Sequence, residues 1–521
     1  MNFVSLVASF AKYEKGGKML VLGDLIRARA SDSGDKVIFI FKGQEMTYRQ
    51  LYERSTRLAN ALAQLGLKKG DHVAVLMQNS FEIVECYFAN GLLGLATIPL
   101  NPMYTGREIE YIVNNSESKA LITKEKFYSN VAGVRENLEE LENLIVQSDN
   151  PIPDTYSYDH LLNEAPKTPV DVEVDPEDVA IILYTSGTTG TPKGVMLTHR
   201  GIMLNADLVK DAIGWVEQDR FVGVLPMFHS FSFSFDILQM MMVKASTAIF
   251  ERFDTKEVVE GIEKYQCTAL AGVPTMFTYI YNYPDLEKHD LSCLRIGDCG
   301  GGPVPVELME EFQKGFGMTL LESYGLTECS PVTCVERPNM ERRSGSCGHV
   351  FPGMTAKIVD IHGKEVPDGE VGELIIDGPT HMKGYFKMPV ETKEAIKDGW
   401  LYTGDLFKKD KDGYLYFVDR LKHMIVTAGY NIYPKEVENV LYNHPAILEA
   451  AVIGIPDKMK GDIPKAYIVL QGDQKPTEKE IIDYCRQNLA AYKVPRIFEF
   501  VDALPQTASG KIKKYVLKEK K

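Results

Sequence analysis

Hydrophobic and polar residues follow two spacings over the first two thirds of the chain, and these spacings predict helices alternating with strands. Thr47 and Gln50 have the spacing of a capping box, and a leucine stripe at helical spacing follows until Gly66. Continuous apolar runs predict strands buried on both faces, and they lie at His72–Met77, Val179–Tyr184, Thr268–Val273 and Leu294–Gly297. This order predicts an α/β fold in which parallel or mixed sheets are covered by helices.

The pattern changes at about Ser344, where short segments are separated by turn signals that contain glycine. Asp412-Gly413 predicts the turn of a hairpin between two such segments. We therefore expect residues 344–419 to form a small β-rich, barrel-like unit within the large N-terminal domain.

A new strand–helix pattern begins after this β-rich unit, and Thr477 with Glu480 forms its capping box. We place a domain boundary at Asp419–Lys422. The sequence thus predicts a large domain of residues 1–419 and a small, mobile α+β domain of residues 420–521.

Composition excludes two classes of partner. The chain has 521 residues and a net charge of −14, so it offers no general attraction to nucleic acid or to an anionic membrane surface. No apolar run has the length of a membrane span, and the N-terminus lacks the basic start and cleavage site of a signal peptide. The eight cysteines form no CxxC pair and show no zinc spacing. We therefore expect reduced thiols and a cytoplasmic protein without an integral membrane segment.

A loop rich in glycine, serine and threonine, Thr185–Gly194, follows directly after the apolar run that ends at Tyr184. Glycines let a backbone approach phosphate oxygens, hydroxyls and amides donate hydrogen bonds, and a lysine supplies positive charge. The candidate phosphate-binding residues are Thr185, Ser186, Gly187, Thr188, Thr189, Gly190 and Lys193. A flexible linker is the alternative reading, and the position directly after a buried strand disfavours it.

The loop is not a Walker A motif, although the spacing from Gly187 to Lys193 would fit one. Pro192 occupies the position of the second glycine, and Gly194 replaces the Ser or Thr that binds magnesium in that motif. The sequence therefore excludes a P-loop nucleoside triphosphatase.

The run YTSGTTGTPKG at Tyr184–Gly194 resembles the phosphate loop of the acyl-adenylate-forming superfamily, which includes acyl-CoA synthetases, firefly luciferase and the adenylation domains of peptide synthetases. Further motifs follow in the family's order from about Leu20 to the C-terminus, and within that group the chain most resembles bacterial fatty-acid–CoA ligases. The resemblance implies that ATP activates a carboxylic acid as acyl-AMP and that coenzyme A then takes the acyl group. ATP, Mg²⁺ and coenzyme A are the implied co-substrates.

The resemblance assigns nucleotide and magnesium contacts to two loops that each follow a predicted strand. Gly301, within a run of three glycines, and Tyr324 are implied to bracket the adenine. Thr327 is implied to bond the α-phosphate, and Glu328 to hold magnesium together with Thr185. Loops at the carboxyl ends of parallel strands are where such sheets bind ligands, and a carboxylate beside phosphate oxygens suits a hard divalent cation. Taken alone, the glycine run is equally well read as a turn, and Tyr324 as a core aromatic residue.

Further assignments by resemblance fall in the last quarter of the chain. Asp405 and Arg420 are implied to contact the ribose, where a carboxylate can accept hydrogen bonds from both hydroxyls. Their alternative readings are a turn-capping aspartate and a surface ion pair. Lys422 occupies the position of the family's hinge residue, and Gly429 with Tyr430 matches the loop that lines the pantetheine tunnel of coenzyme A ligases.

Two residues are candidates for the chemistry itself. Lys511, in the run Pro505–Lys511, matches the lysine of adenylation, where a cation between two anionic reactants counts most in the transition state. His229 lies where related ligases place an aromatic residue or a histidine between acyl pocket and thiol tunnel, although a lone histidine is more often a core residue. The stretch Phe231–Lys244 departs from the family because it has no glycine, and it is either a core helix or the wall of the acyl pocket.

The sequence favours a fatty-acid–CoA ligase and leaves one main alternative, an amino-acid- or aryl-acid-activating enzyme that loads a separate carrier protein. In the amino-acid case an acidic residue faces the substrate amine, and Asp236 is the nearest candidate. A protein that only binds ligands is disfavoured, since binding alone requires neither Lys511 nor Glu328. Acyl chain length and oligomeric state stay open, with a homodimer among the alternatives.

Overall fold

The computed structural model describes residues 21–185, 192–302, 304, 306–427, 430–457, 461–472, 474, 476–506 and 512–519. The chain divides into two compact units. The first comprises Met1–Arg342, Gly348–Thr355 and Asp377–Gly399, and the second comprises Arg343–Cys347, Ala356–Ile376 and Trp400–Lys521. The boundary that the sequence predicts at Asp419–Lys422 stays a prediction, as does the mobility of the C-terminal domain.

The strands of the described residues are numbered in chain order. Up to residue 335 they are β1 (Val37–Phe41), β2 (Gln44–Thr47), β3 (His72–Leu76), β4 (Ala96–Leu100), β5 (Ser118–Lys124), β6 (Asn143–Gln147), β7 (Tyr156–Ser157), β8 (Val179–Thr185), β9 (Lys193–Thr198), β10 (Arg220–Gly223), β11 (Ser246–Ile249), β12 (Ala269–Gly272), β13 (Ile296–Cys299), β14 (Thr319–Gly325) and β15 (Val332–Val335). Beyond it they are β16 (His349–Val350), β17 (Thr355–Val359), β18 (Gly372–Asp377), β19 (Gly384–Tyr385), β20 (Ile396–Lys397), β21 (Trp400–Lys409), β22 (Leu415–Arg420), β23 (Ile425–Thr427), β24 (Tyr430–Ile432), β25 (Ile447–Asp457), β26 (Gly461–Leu470) and β27 (Ile497–Phe500).

The helices are numbered in the same way. They are α1 (Leu22–Asp32), α2 (Tyr48–Gln64), α3 (Phe81–Leu93), α4 (Gly106–Asn115), α5 (Glu125–Ala132), α6 (Tyr158–Glu164), α7 (His199–Ile213), α8 (Ser230–Ser232), α9 (Met240–Val243), α10 (Thr255–Tyr265), α11 (Pro274–Tyr281), α12 (Val306–Phe316), α13 (Pro389–Ala395), α14 (Pro434–Tyr442), α15 (Glu478–Asn488) and α16 (Lys514–Glu519). A π-helical segment, Phe233–Gln239, joins α8 to α9. Short 3-10 turns lie at Arg135–Asn137, Leu286–Lys288, Thr327–Cys329 and Leu421–His423.

Two large mixed sheets occupy the described part of the first unit. The order of one sheet is β16-β15-β14-β13-β12-β10-β11-β1-β2, and its strands from β14 to β1 are parallel. The order of the other is β19-β9-β8-β4-β3-β5-β6-β7, with parallel strands from β8 to β7 and antiparallel pairs β8–β9 and β9–β19 at one edge. The α/β class with mixed sheets is therefore confirmed.

Local sequence signals explain how these elements begin and what they bury. The Thr47 hydroxyl accepts a hydrogen bond from Gln50 N at 3.2 Å, and Gln50 Oε1 accepts one from Thr47 N at 2.8 Å, which confirms the capping box of α2. Leu58 and Leu62 of this helix have no exposed surface, and burial of each stabilises the fold by about 2 kcal/mol. Beneath the second sheet, Ile109 and other residues of α4 pack against strand residues in a continuous core.

The stretch Phe231–Lys244 is mostly a buried helix with a wide π-helical middle, which agrees with the core-helix reading. Every residue of Phe233–Gln239 is buried, and two hydrogen bonds engage the Gln239 side chain. Trp215 Nε1 donates to Gln239 Oε1 at 2.7 Å, and Gln239 Nε2 donates to Ser234 Oγ at 3.0 Å. Segments of π-helix are rare and often lie at functional sites, so the wall of an acyl pocket is compatible with this helix.

The second unit begins with the β-rich part that the sequence predicts. Strands β17, β18, β21 and β22 are neighbours in one antiparallel sheet. The turn between β21 and β22 is closed by Asp410, whose Oδ1 accepts hydrogen bonds from Asp412 N and Tyr414 N at 3.0 Å each. Gly413 has φ +86°, which a residue with a side chain adopts only with strain. The hairpin at Asp412-Gly413 is therefore confirmed.

The C-terminal part of the second unit is a small α+β assembly. Its sheet has the order β24-β23-β26-β25 with β27 beside β26, and its core includes Val452, Ile468 and Ile481. Thr477 caps α15 through its hydroxyl, which accepts from Glu480 N, while Glu480 Oε2 accepts from Thr477 N at 2.7 Å. The second capping box is thereby confirmed.

Two further observations concern the cysteines and the helices. All eight cysteines are free thiols, and all but Cys293 are buried. Among the helices that the structure describes, none combines the length and the apolar character that crossing a membrane requires.

Candidate active site

The two ends of the candidate phosphate loop are neighbours in a sheet. Thr185 is the last residue of β8 and Lys193 the first of β9, and the two lie opposite each other in this antiparallel pair. The loop residues between them, Ser186, Gly187, Thr188, Thr189 and Gly190, lie outside the described residues. At Gly194 a Cβ atom would lie 3.0 Å from the Tyr184 ring, so a Ser or Thr would be crowded there. The departure from a Walker A loop at this position thus has a steric reason.

The candidate adenine and magnesium residues follow two adjacent parallel strands, β13 and β14. Gly301 lies just beyond β13 with φ +78°, a conformation that favours glycine. Tyr324 lies near the end of β14, and Thr327 and Glu328 form the short 3-10 turn that follows. All three of these side chains are half-buried. The structure therefore places Gly301 and the segment from Tyr324 to Glu328 at the same edge of the sheet.

Tyr385, which no sequence motif indicated, connects Glu328 with Lys193. Its hydroxyl donates to Glu328 Oε1 at 2.9 Å, and Lys193 Nζ lies 5.0 Å from the centre of its ring. Burial and the adjacent Glu328 carboxylate raise the pKa of the Tyr385 phenol, which keeps it a neutral donor. The one local signal was an aromatic pair after Gly384, and 57 residues separate Tyr385 from Glu328, so sequence spacing could not reveal the contact.

His229 is the N-cap of the helix that begins at Ser230. Its Nδ1 accepts a hydrogen bond from Phe231 N at 3.2 Å, so the neutral ring carries its proton on Nε2. The Phe231 ring lies 3.2 Å from the position that a Cβ on Gly300 would occupy, and it packs edge-on against Phe235 at 4.8 Å. Phe231 therefore lies against the glycine run that precedes α12, where it is a candidate for the wall of an acyl pocket, and the buried Phe235 supports it from behind.

Two fully buried carboxyl groups lie in this part of the first unit. Asp298 Oδ2 accepts a hydrogen bond from Ser323 Oγ at 2.8 Å, and burial raises the Asp298 pKa to about 7. A Cβ on Gly300 would lie 2.8 Å from the same Ser323 Oγ, so these residues share one side of the sheet. Asp236 Oδ2 accepts from Ser232 Oγ at 2.7 Å, and burial raises the Asp236 pKa well above its usual value, which favours the neutral acid. A neutral carboxyl lacks the charge that recognition of a substrate amine needs.

In the second unit, Asp405 and Arg420 are cross-strand partners in β21 and β22. Arg420 Nε lies 3.3 Å from Asp405 Oδ1, and Asp405 is buried whereas Arg420 is exposed. The two residues that the sequence assigns separately to a ribose therefore form one polar pair. The alternative reading of Arg420 as a member of an ion pair therefore holds, and its partner in that pair is Asp405.

Two of the remaining candidates of the second unit, Lys422 and Tyr430, are exposed. Lys422 is exposed in the 3-10 turn directly after β22. Tyr430 begins β24, is 58% exposed, and stacks on Tyr492 with 4.9 Å between ring centres. Gly429 and Lys511 lie outside the described residues.

The oxygen donors at Glu328 fit a magnesium ion that arrives with a nucleotide. Glu328 uses Oε1 for the bond from Tyr385, and within the described residues its Oε2 has no hydrogen-bond partner. Mg²⁺ usually binds through one or two carboxylates together with substrate phosphates and water. A half-buried carboxylate with one oriented oxygen is therefore a suitable ligand.

Comparison with known proteins matches the chain to one family. Residues 26–386 match the family described as AMP-binding enzyme, and residues 436–511 match the AMP-binding enzyme C-terminal domain. A long-chain-fatty-acid–CoA ligase of Escherichia coli is 35% identical over 528 aligned positions, which cover 96% of this chain and 94% of that protein. A feruloyl-CoA synthase of an Amycolatopsis species is 36% identical, with 91% and 93% covered.

A solved structure shows the same fold. The anthranilate CoA ligase in complex with anthranoyl-AMP superposes with a TM-score of 0.91 at 31% identity, and 96% of both chains is covered. The two family matches occur in chain order, and the first covers more than half of the chain. This chain belongs to the AMP-binding family of acyl-adenylate-forming enzymes.

Proposed function

We propose that this enzyme is an AMP-forming acyl-CoA synthetase that activates a fatty acid with ATP and transfers the acyl group to coenzyme A. In the first step a carboxylate oxygen attacks the α-phosphorus of ATP, the bond to the bridging oxygen breaks, and pyrophosphate leaves. In the second step the coenzyme A thiol loses its proton, its sulfur attacks the acyl carbonyl carbon, and AMP leaves with the electrons of the broken C–O bond. The observation that best supports this function is the phosphate-loop hairpin of Thr185 and Lys193, linked to Glu328 through Tyr385.

In this proposal, residues of the first unit bind and orient Mg-ATP. Thr185, Lys193 and the loop between them donate to the phosphates. Thr327 donates to the α-phosphate, and Glu328 with Thr185 holds magnesium, which neutralises phosphate charge when it is bound. Gly301 offers its backbone to one face of the adenine, because it has no side chain there, and Tyr324 offers its ring to the other.

Residues of the second unit serve the two steps in different ways. Asp405 accepts hydrogen bonds from the ribose hydroxyls, and Arg420 holds the Asp405 carboxylate in place. Lys511 stabilises the negative charge that develops between carboxylate and α-phosphate, which is a transition-state interaction. Gly429 and Tyr430 line the path of the pantetheine, and Lys422 is the hinge that lets the C-terminal domain serve first one step and then the other.

The acyl substrate in this proposal is an unbranched aliphatic acid. In the helix that follows His229, the side chain that lies against Gly300 is the uncharged ring of Phe231. Apolar side chains of this kind gain free energy from contact with a hydrocarbon chain. His229, at the start of that helix, stands between the acyl group and the incoming thiol. The fatty-acid ligase of Escherichia coli is among the relatives that cover nearly the whole chain.

An aryl acid is the second candidate substrate. The half-buried ring of Phe231 packs edge-on against the buried Phe235 at 4.8 Å and is available for contact with an aromatic ring. The names of two relatives, a feruloyl-CoA synthase and an anthranilate CoA ligase, agree with such a pocket in those proteins. The carrier-loading alternative for amino acids has weaker support, because Asp236 is buried and its neutral form is favoured.

A panel of acids tests the function directly. Pyrophosphate release and acyl-CoA formation are measured with fatty, aromatic and amino acids, each with and without coenzyme A. We expect stoichiometric pyrophosphate, AMP and acyl-CoA with fatty acids and little turnover with the others. Turnover with aromatic acids alone would show that the substrate is an aryl acid and not a fatty acid. Pyrophosphate release without acyl-CoA for every acid would refute the synthetase function.

The proposal includes a location in the cytoplasm and assembly as a homodimer. Free thiols at all eight cysteines agree with a reducing compartment. Sedimentation velocity of the purified chain checks the assembly, and a single species with the mass of one chain would contradict the dimer. Fractionation of cells that produce the chain checks the location.

A further inference from the structure

We infer that Tyr385 is a positioning residue that orients the Glu328 carboxylate for magnesium and holds the Lys193 ammonium beside the phosphate loop. This inference rests on the proposed function, because it takes Glu328 as the ligand of the magnesium that enters with ATP. It adds a residue that lies outside every motif used to assign the site.

The position of Tyr385 is determined by its backbone neighbours. Residues 384 and 385 pair with β9, Phe386 N donates to Gly194 O at 2.7 Å, and Lys383 N donates to Met196 O at 2.9 Å. Tyr385 N donates to Thr392 Oγ1 at 2.8 Å. Backbone hydrogen bonds therefore hold the strand that carries Lys193 beside the strand that carries Tyr385.

The same short segment also holds Glu328 at two points. Met382 N donates to Glu328 O at 2.8 Å, and the Tyr385 hydroxyl donates to Glu328 Oε1 at 2.9 Å. Backbone and carboxylate of Glu328 are thus both fixed relative to residues 382–385, and Oε2, which has no hydrogen-bond partner among the described residues, can bind a cation. Groups that orient a metal ligand in this way typically affect metal affinity by about 10- to 100-fold.

The Tyr385 ring gives the contact with Lys193. An ammonium 5.0 Å from a ring centre lies within the range of a cation–π interaction, about 6 Å. Lys193 is a long, flexible side chain, and a ring that holds its ammonium reduces the entropy lost when phosphate binds. The Tyr385 ring thereby contacts Lys193, the cation for the phosphates, and its hydroxyl contacts Glu328, the anion for the metal.

These two contacts predict separable effects of two substitutions. Tyr385→Phe removes the bond to Glu328 and keeps the ring near Lys193, whereas Tyr385→Leu removes both. ATP affinity is measured by calorimetry with and without Mg²⁺ and without acid, so that no chemistry occurs. We expect Tyr385→Phe to reduce the Mg²⁺-dependent gain in ATP affinity by about 10-fold or more and to leave Mg²⁺-free binding unchanged. Tyr385→Leu should also weaken Mg²⁺-free binding.

Two further variants complete the design. Tyr281→Phe is the matched control, because the Tyr281 hydroxyl also donates to a carboxylate, that of Glu311, in the same unit. Glu328→Gln should abolish most of the Mg²⁺-dependent gain, and Tyr385→Phe should add no further loss in that background, since coupled residues are not additive. Melting temperatures identify any variant that is merely unstable.

The outcomes distinguish this inference from the proposed function. Full Mg²⁺-dependent gain in Glu328→Gln would overturn the magnesium role of Glu328 and this inference with it. A loss in Glu328→Gln with none in Tyr385→Phe would overturn the role of Tyr385 alone. Equal losses with and without Mg²⁺ in Tyr385→Phe would show that the tyrosine is structural and would also overturn it.

Discussion

Thr185 and Lys193 lie opposite each other in the antiparallel strands β8 and β9, so the candidate phosphate loop is a hairpin connection whose two ends are fixed. Further contacts hold the second end: the Tyr111 hydroxyl donates to Pro192 O at 3.1 Å, and Phe386 N donates to Gly194 O at 2.7 Å. A loop with fixed ends loses less entropy when it closes around phosphates than a free segment does. In the proposed function, these fixed ends favour phosphate binding by the loop.

Replacement of Lys193 tests the role of this hairpin. Lys193→Met keeps the length and the apolar stem but removes the charge, and we expect KM for Mg-ATP to rise by about 10- to 100-fold, the effect of one hydrogen bond to a charged group. Acid-dependent exchange of pyrophosphate into ATP measures it. Lys383→Met is the control, because Lys383 is an exposed lysine on the same segment as Tyr385. Similar effects of both substitutions would contradict a specific role for Lys193.

Removal of Lys511 should separate the two steps. Lys511→Ala is expected to slow adenylation by about 100- to 1000-fold, because a cation that acts mainly in the transition state is lost. Thioester formation from supplied acyl-AMP should be largely unaffected. Single-turnover assays of the two half-reactions measure this, with Lys513→Ala as a control in the same segment. Parallel losses in both half-reactions would argue for a structural role.

The hinge assignment predicts that backbone freedom, not charge, matters at Lys422. Lys422→Pro fixes φ near −65° and restricts the preceding residue, so it should trap one pose of the C-terminal domain and disable one half-reaction selectively. We expect adenylation to persist while acyl-CoA formation falls. Lys422→Ala keeps normal backbone freedom and serves as the control. Mild and equal defects in both half-reactions of the proline variant would refute the hinge and weaken the predicted boundary.

Asp236 distinguishes the two substrate classes that the sequence left open. Its carboxyl is fully buried in the π-helical segment and bonded to Ser232, and burial raises its pKa. Asp236→Asn keeps the shape and removes the ability to carry a charge, so fatty-acid activation should change by less than about three-fold. Acid-dependent pyrophosphate exchange with fatty and amino acids measures the outcome. Amino-acid-dependent exchange that disappears in Asp236→Asn would overturn the fatty-acid assignment.

Acid stability should depend on the ion pair of Glu82 and Lys124, whose charged atoms are 2.8 Å apart. Desolvation raises the pKa of the Glu82 carboxyl, but Lys124 and the hydrogen bonds to the carboxylate together outweigh it, and the pKa falls to about 2. The unfolded value is about 4.3, so the pair stabilises the fold above that pH and the stabilisation is lost as pH falls toward about 2. Glu82→Gln should therefore cost on the order of 3 kcal/mol at pH 7 and much less near pH 2.

Melting temperatures of the wild type and Glu82→Gln across this pH range measure the effect. Glu217→Gln is the matched control, because Glu217 pairs with Lys36 on the exposed surface, where an ion pair contributes little. A difference between wild type and Glu82→Gln that stays constant from pH 7 to pH 2 would contradict the assignment.

The sequence by itself determined the elements that depend on local interactions. Capping boxes at Thr47 and Thr477, the hairpin at Asp412-Gly413 and the buried run Val179–Tyr184 were predictable because each uses residues a few positions apart. Spacing in the chain also predicted a phosphate loop, because a glycine-rich run after a buried strand has few other uses, and that role stays a prediction. For these features, short-range geometry and burial are sufficient.

The tertiary structure alone decided which distant groups meet. Tyr385 reaches Glu328 across 57 residues because the edge strand β19 pairs with β9, and no spacing in the chain encodes that pairing. Arg420 is bonded to Asp405 because register sets them opposite each other. The raised pKa of Asp298 likewise follows from burial on a central strand, since the free energy of a charge depends on the dielectric surroundings that only the folded chain creates.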